Sequence, residues 1–576
     1  MVNIPTRQSR GEELPKSKLP EIENSFFDYD DVTLAIEDIP NGASPGPDGV
    51  PPTILKKAKV NIARMLVVIF KSSIEHGEIP EILKLAFVTP VHKGGSRAQP
   101  VQYRPISLTS HVIKVLERVL RKSLVGFLDW QGKMDPNQHG SRSQRSCLSQ
   151  LLEHHEEILR ILETGENVDV IYLDFLKAFD KVDIGILLRK AKALGISGRL
   201  GRWIHSFLTG RQQVVIVNGR KSKKSDVISG VPQGTVLGPL LFLIYISDIS
   251  VEVKASMKVY VDDTKVKKDI KDEDSVEELQ EDLEKLYKWA RENNMTFNGT
   301  KFQLLRYGKN ENIKNETMYF TDEMENVIEQ FENLKDLGVF MNDKADFSTH
   351  VTNVVKKSRQ KIGWILRTFH NRKMFFMKHM LKTLVTPHTD YNSQLWMPIE
   401  CSEIEKIEKL QRDFFRNIPS LWGMSYWEQV NKMKMLSVQR RLERYRIKYS
   451  WKVLENLVPN CGLEKVADSE ISRQGRRLKV PDVDRKAATF KKLEQSFQVN
   501  GPRLFNCLPA KIRNISKGCL DDFKMALDKF LETVPDQPKI DGLTPGTENL
   551  SGIYSNSLLH QTKRGQGGGL PSISGA

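Results

Sequence analysis

Two kinds of hydrophobic spacing organise this chain. Val168 to Phe175, VDVIYLDF, is apolar at almost every position and rich in β-branched and aromatic residues, which predicts a strand buried on both faces. Asp174 stands at its end, where a carboxylate without a partner is expensive to bury. Ser256 to Lys268, SMKVYVDDTKVKK, alternates instead: Val259 and Val261 are set against Lys258 and Tyr260, predicting a hairpin with one face buried and the other wet. Its tip carries Asp262 and Asp263. A strand, FVTPV, is predicted after Leu85, followed by HKGGSRAQPVQYRPISL as a basic loop. Residues 186–229 read as a helix, a WIHSFLTGR turn and a hairpin with Asn218-Gly219 at its tip. MTFNGTKFQLLRYG reads as a hairpin turning at Asn298-Gly299, and ENLKDLGVFMNDKADFSTHV as a strand pair leading into a helix.

Helical spacing marks TILKKAKVNIARMLVVIFKSSIEHG, HVIKVLERVLRKSLVGFL and EDSVEELQEDLEKLYKWARENN. Gly42 to Pro52, GASPGPDGVPP, is too dense in Gly and Pro for a regular element and predicts a shaped loop. Gly230 to Ile249, GVPQGTVLGPLLFLIYISDI, predicts a glycine-rich lip clamped to a buried helix, with Gln233 its one side chain that both donates and accepts. From about residue 350 the pattern is helical and basic, in VVKKSRQKIGWILRTFHNRK and again in QRRLERYRIKYSWKVLE, and the tail KRGQGGGLPSISGA predicts disorder.

Composition narrows the partners. The 576 residues exceed what one core can organise, and 87 Lys+Arg against 72 Asp+Glu, with pI near 9.3, favour a polyanion. Nucleic acid and acidic membrane both fit that charge. No apolar run approaches the roughly 20 residues that span a bilayer, and the N-terminus lacks an apolar signal core, so neither a membrane nor secretion is expected. The five cysteines lack the spacing of a disulfide framework or a zinc site.

The candidate chemistry is acidic. Two carboxylates about 4 Å apart repel by roughly 4 kcal/mol at an effective dielectric near 20, so the Asp262-Asp263 tip calls for a cation or a proton. Alone, such a dipeptide is an ordinary acidic turn. Asp174 and Asp262, however, each end a buried strand, and one sheet can bring both to the same edge. Carboxylates so placed can hold two Mg²⁺ ions roughly 3.5–4 Å apart, the arrangement that activates an attacking hydroxyl and stabilises a leaving pyrophosphate. The reaction class is nucleotidyl transfer.

GASPGPDGVPP, QYRPISL, QHGSR, YLDFLKAFDKV, GVPQGTVLGP, YVDD, TFNGTK and LKDLGVFM, in this order, resemble the reverse transcriptases of non-LTR (LINE-type) retrotransposons, close to the jockey-like group. The resemblance covers about residues 40–350 and thins toward 540. It implies an α+β right-hand polymerase with an antiparallel palm sheet: an N-terminal extension (1–40), fingers (41–165), palm (166–345), a helical basic thumb (346–455) and a C-terminal region (456–576). It implies Asp174, Asp262 and Asp263 as catalytic metal ligands for two Mg²⁺ ions, Mn²⁺ being the alternative, and Lys301 as general acid. Lys93 and Arg104 would hold triphosphate and template, Phe179 would exclude a 2′-hydroxyl, and Gln233 with Gly234 would lie beside the nascent base pair. Leu337 and Gly338 would support the primer end, and Lys356, Lys357 and Arg359 would grip the duplex. Partners so implied are an RNA template, a DNA primer or RNA–DNA hybrid and deoxynucleoside triphosphates.

The chain departs from its relatives at Leu176, where Ser is common, and at His139 and Ser141, where aromatics are common. Fewer than 50 residues precede the first motif, so an endonuclease is expected from a partner chain or a missing domain. An intracellular, nuclear site of action follows from the resemblance alone. Competing readings are an RNA-dependent RNA polymerase, which Phe179 opposes, an intron maturase, which no Cys/His cluster supports, and a decayed or domesticated copy that binds RNA without polymerising.

Overall fold

The structure, a computed structural model, describes residues 27–308, 318–321, 326–466, 475–516, 520–534, 536 and 558–559. The predicted tail lies outside them, apart from Leu558 and Leu559 upstream of it. The chain divides into two compact units, one of Met1–Pro136, Phe175–Val251 and Lys288–Thr296, the other of Asn137–Asp174, Glu252–Tyr287 and Phe297–Ala576. Both mix helices with sheets whose pairing is mostly antiparallel. Among the described residues no helix is long and apolar enough to cross a membrane.

In the first unit, the strand Leu85–His92 lies between Tyr103–Leu108, antiparallel, and Arg211–Val217, parallel. QYRPISL is therefore largely strand rather than loop. Pro90 stands opposite Pro105, so the two residues that cannot donate share one rung of this pair. Asn218 (φ 49°) and Gly219 (φ 77°) form the expected two-residue turn from Arg211–Val217 into Arg220–Lys221. WIHSFL is not a turn but the end of the helix Gly198–Leu208, because Leu200, Trp203, Ile204, Phe207 and Leu208 fall on one buried stripe. The helix Gly238–Tyr245 is buried along its whole length, which accounts for its unbroken apolar sequence.

The second unit is built on a four-stranded antiparallel sheet in the order Ser256–Tyr260, Asp263–Ile270, Asn167–Leu173, Gln303–Tyr307. The Asn167–Leu173 strand is central and almost wholly buried, as its composition predicts. Gln303–Tyr307 pairs with that strand, Val170 opposite Leu305, and not with the residues before it. Asn298-Gly299 is thus no hairpin tip: the Asn298 N–H donates to the Asp174 carbonyl (2.7 Å), and Gly299–Lys301 makes one 3₁₀ turn. A separate hairpin, Asn333–Asp336 with Val339–Asn342, turns at Leu337-Gly338 and leads into the helix Ser348–Thr368.

The helix Val438–Leu454, which holds the second basic run, is an interior element. Arg440 and Arg446 are fully buried, Arg440 paired with Glu443 and Arg446 donating to the carbonyls of Gln394 and Leu395. Arg441 pairs with Asp390. These cations organise the core and are not offered to a polyanion.

Candidate active site

The hairpin tip is strained and braced. Tyr260 pairs with Asp263, leaving Val261 and Asp262 as a two-residue turn with Val261 at φ 61°, a region where a β-branched side chain is a true outlier. Gln138 holds it there: its Oε1 accepts from the Val261 N–H (2.9 Å) and from Gly140 N–H (2.7 Å), while its Nε2 donates to the Val261 carbonyl (3.4 Å). Val259 N–H donates to Asn137 O (3.0 Å) and His139 N–H to Val259 O (2.9 Å). Gly140 must be glycine, since a Cβ would stand 2.5 Å from Val261 Cγ2 and 2.6 Å from its nitrogen. QHGSR is the clamp of the acidic turn.

The hairpin's second face is not wet. Lys258, Lys265 and Lys267 are all buried, Lys258 and Lys267 under carboxylates of the helix Cys147–Glu163. Lys258 pairs with Glu153 (3.0 Å) and Glu157 (3.3 Å), and Lys267 with Glu157. Lys265 pairs with Asp336, both side chains buried, tying this hairpin to the strand that enters the Leu337-Gly338 turn.

Asp174, at the end of the central strand, is joined by Lys301 Nζ, whose own side chain is 60% exposed. Asp263 opens to solvent on one side and is walled by protein on the other. Its carboxyl is pushed up to about 6, first by that burial, then by the charges of Asp262, Asp174 and Asp336, with Lys265 opposing. Asp262 and Asp174 are thus both within electrostatic reach of Asp263. Among the described residues no three His, Cys, Asp or Glu side chains close into a ready-made ligand cluster. The donor set is nonetheless hard carboxylate oxygen with excess negative charge, which suits Mg²⁺ or Mn²⁺ and not a soft or imidazole-seeking ion.

The first unit positions the other predicted residues. The Gln233 carbonyl accepts from Ser107 N–H (2.7 Å), and its side chain reaches Asp180 Oδ1 (3.4 Å). Gly234 (φ 105°) passes so close to the Ser107 carbonyl that a Cβ would lie 2.6 Å from it. Glu117, fully buried, accepts from Val236 N–H (2.6 Å) and Leu237 N–H (2.9 Å), fixing the far side of the lip. Phe179 stacks on Phe242, centroids 4.6 Å apart and planes 11° apart. Lys93 and Arg104 are exposed on the Leu85–His92/Tyr103–Leu108 pair, Arg104 opposite Val91.

In the second unit, Leu337 (φ 43°) and Gly338 (φ 89°) form a two-residue turn fastened by Tyr391, whose hydroxyl donates to Leu337 O (2.9 Å). A Cβ on Gly338 would lie 2.9 Å from the Tyr391 ring. Lys356, Lys357 and Arg359 are exposed on the helix Ser348–Thr368. Of the departures, Leu176 is exposed, whereas His139 is buried and accepts or donates at Ser149 Oγ (2.9 Å). Sequence reading missed the functions of Gln138, Gly140, Lys265, Asp336 and Tyr391. Only the Gln-x-Gly spacing was available as a signal.

Residues 91–359 match the family model "Reverse transcriptase (RNA-dependent DNA polymerase)". The chain is 27% identical over 472 residues to the RNA-directed DNA polymerase from mobile element jockey of Drosophila melanogaster, covering 79% of this chain and 50% of that protein. It is 27% identical over 421 residues to the probable RNA-directed DNA polymerase from transposon X-element of the same species, covering 71% and 46%. The chain therefore spans about half the length of the curated relatives it matches. Apo telomerase from Candida Tropicalis aligns at 10% identity over 76% of this chain and 74% of that one, with a TM-score of 0.37, a likeness too slight to assign a fold. The carboxylates on one strand end and one braced turn lie inside the span over which this chain is similar to the reverse transcriptases of non-LTR retrotransposons.

Proposed function

We propose that the chain is an RNA-directed DNA polymerase that extends a DNA primer on an RNA template with deoxynucleoside triphosphates, on a right-hand plan of fingers, palm and thumb. The observation that carries this is the crowding of Asp174, Asp262 and Asp263 in one unit, on the segments that the family model spans. Asp174 and Asp262 would hold two Mg²⁺ ions with Asp263 beside them. Bound there, the ions would lower the barrier by stabilising charge on the attacking and leaving oxygens.

The chain's own groups supply the rest. Lys301, exposed and paired with Asp174, can swing from that carboxylate to protonate the departing pyrophosphate. The Phe179 ring, fixed by Phe242, would reject a 2′-hydroxyl. Lys93 and Arg104 would bind triphosphate and template, and Gln233 and Gly234 would line the nascent pair. Leu337 and Gly338 would seat the primer end, and Lys356, Lys357 and Arg359 would contact backbone phosphates. An endonuclease from a partner chain or a further domain would supply the nicked primer, and the work would be done in the nucleus.

Extension of oligo(dT) on poly(rA) with dTTP and Mg²⁺ tests the reading. Folded protein that binds the hybrid yet adds no nucleotide would overturn it in favour of a decayed RNA-binding copy.

A further inference from the structure

The helix Cys147–Glu163 presents two adjoining rows of charged side chains, each to a different neighbour. Glu153 and Glu157, one turn apart, lie under the hairpin that carries Asp262 and Asp263. Glu153 takes Lys258 Nζ (3.0 Å) and stands 3.3 Å from His139 Nε2, while Glu157 takes Lys258 (3.3 Å), Lys267 and Ser256 Oγ (3.2 Å). His139 follows Gln138 in the clamp, and its N–H donates to Val259 O (2.9 Å). The position of this helix therefore sets the position of both the hairpin and its clamp.

The next row, Glu156 and Arg160, faces the C-terminal part of the chain. Glu156 is buried and accepts from the Gln498 N–H (3.1 Å) in the first turn of the helix Phe497–Asn506, a donor with no partner inside its own helix. Arg160 Nη2 donates to Gln498 Oε1 (2.9 Å), and Gln498 Nε2 donates to Cys461 O (2.5 Å). Both ends of a buried amide are thus used, one on each side of the joint. Apolar packing runs the same way, since Phe497 and Phe505 share one core with Leu151 and Leu159 of the helix and with Val170 of the central strand. Cys461 and Phe497–Asn506 lie outside the residues that the family model matches.

We propose that Glu156 and Gln498 are positioning residues for the polymerase: through them the segment from Cys461 to Asn506 fixes the rotation of the helix Cys147–Glu163, and with it the place of the Asp262-Asp263 turn. The leverage is geometric. Side-chain tips stand about 5–6 Å from a helix axis, so a rotation of about 10° carries Glu153 and Glu157 through about 1 Å. A misplacement of about 1 Å at a reacting centre can cost about a hundredfold in rate. The lysine ion pairs can follow a shifted helix, whereas the amide bonded at both ends cannot. That the turn serves nucleotide addition rests on the polymerase reading.

The test uses the full chain with Gln498→Ala, Glu156→Ala and Glu156→Gln, the last keeping an acceptor for the Gln498 N–H. Phe523→Leu is the control, loosening the C-terminal part through a different contact, the stack on Trp451 (centroids 4.8 Å). Variants are compared in urea at equal unfolding free energy. Amides of Val259 to Asp263 should exchange hydrogen about fivefold faster or more in Gln498→Ala and Glu156→Ala than in the parental protein and the control. The single-turnover rate of dTTP addition on a poly(rA) hybrid, which does not depend on the folded fraction, should fall about ten- to thirtyfold, with hybrid affinity within about twofold. Glu156→Gln should bring both readouts back to within about threefold of the parental values. Parental exchange and parental rate in folded Gln498→Ala would overturn the proposal, as would equal changes in Phe523→Leu. If Glu156→Ala does not fold, Gln498→Ala decides alone. If the parental protein adds no nucleotide, the polymerase reading fails, and exchange at the turn still judges whether Glu156 and Gln498 hold it.

Discussion

At the scale of single residues, the acidic turn shows how a strained conformation is kept. Val261 would leave its left-handed conformation if nothing held it, and Gln138 supplies two hydrogen bonds to its backbone while a third, from Gly140 N–H, fixes Gln138 itself. Gly140→Ala should destabilise the protein by about 1–3 kcal/mol in denaturant unfolding, because the new methyl group meets Val261 backbone. Asp262→Asn should act in the opposite sense on the fold. It removes the largest of the three charges that raise Asp263, so the Asp263 carboxyl should titrate closer to the ordinary range in carboxyl NMR, with stability unchanged or higher, while primer extension falls by more than about a thousandfold. Phe179→Ala should let ribonucleotides be incorporated alongside deoxynucleotides. Unaltered sugar discrimination would remove Phe179 from that role. The acidic residues were legible in the sequence because burial and like charge are legible there. Gln138 was not, because its value lies in a backbone it meets more than 120 positions away.

At the scale of elements, the two hairpins are joined by one buried ion pair. Lys265→Met alone leaves Asp336 charged and unpartnered, which should cost about 3–5 kcal/mol in chemical unfolding, whereas Lys265→Met with Asp336→Leu should recover most of that loss. Equal losses in the single and double variants would show that the pair does not join them. The second hairpin should also be acid-sensitive. Burial, then Lys357 and Lys335, depress His350 to about 4, so the native state holds it neutral while the unfolded chain binds a proton below about 6.5. Its contribution is therefore complete above that value and is lost as pH falls toward 4, by up to about 3 kcal/mol. His350→Asn, which keeps an acceptor near Nδ1, should flatten that slope in a stability–pH profile.

Alternation predicted the Ser256–Lys268 hairpin correctly but assigned its lysines to water. Period-2 patterning cannot tell a wet face from one covered by a helix bearing the opposite charges. The same limit applies to QRRLERYRIKYSWKVLE, where charge density suggested surface and the structure buries the arginines against Glu443, Asp390 and backbone carbonyls. QYRPISL was misread for another reason. Proline argues against a strand unless its partner asks for no donor at that rung, and Pro90 meets that condition.

At the scale of the whole molecule, the net charge of +15 is unevenly spent. Some cations are paired inside the core, and the exposed ones include a row on the helix Ser348–Thr368 that a polyanion would feel. Hybrid binding should therefore weaken steeply with salt, and Lys356→Gln with Arg359→Gln should reduce the slope by about two while leaving Arg440 and Arg446 variants to act through stability. The order of motifs along the chain was legible throughout the matched span, because each motif answers a local demand for a turn, a buried strand or a carboxylate. How the chain divides into two units was not, since each unit draws on three separated segments.

The central claim is that Asp174, Asp262 and Asp263 together grip divalent cations. Mn²⁺ titration followed by electron paramagnetic resonance, with hybrid and a non-hydrolysable deoxynucleotide present, addresses it most directly. The parental protein should bind two ions per chain, and Asp174→Asn and Asp262→Asn should each lose that stoichiometry with hybrid affinity retained. Two ions still bound when both carboxylates have been replaced would contradict it.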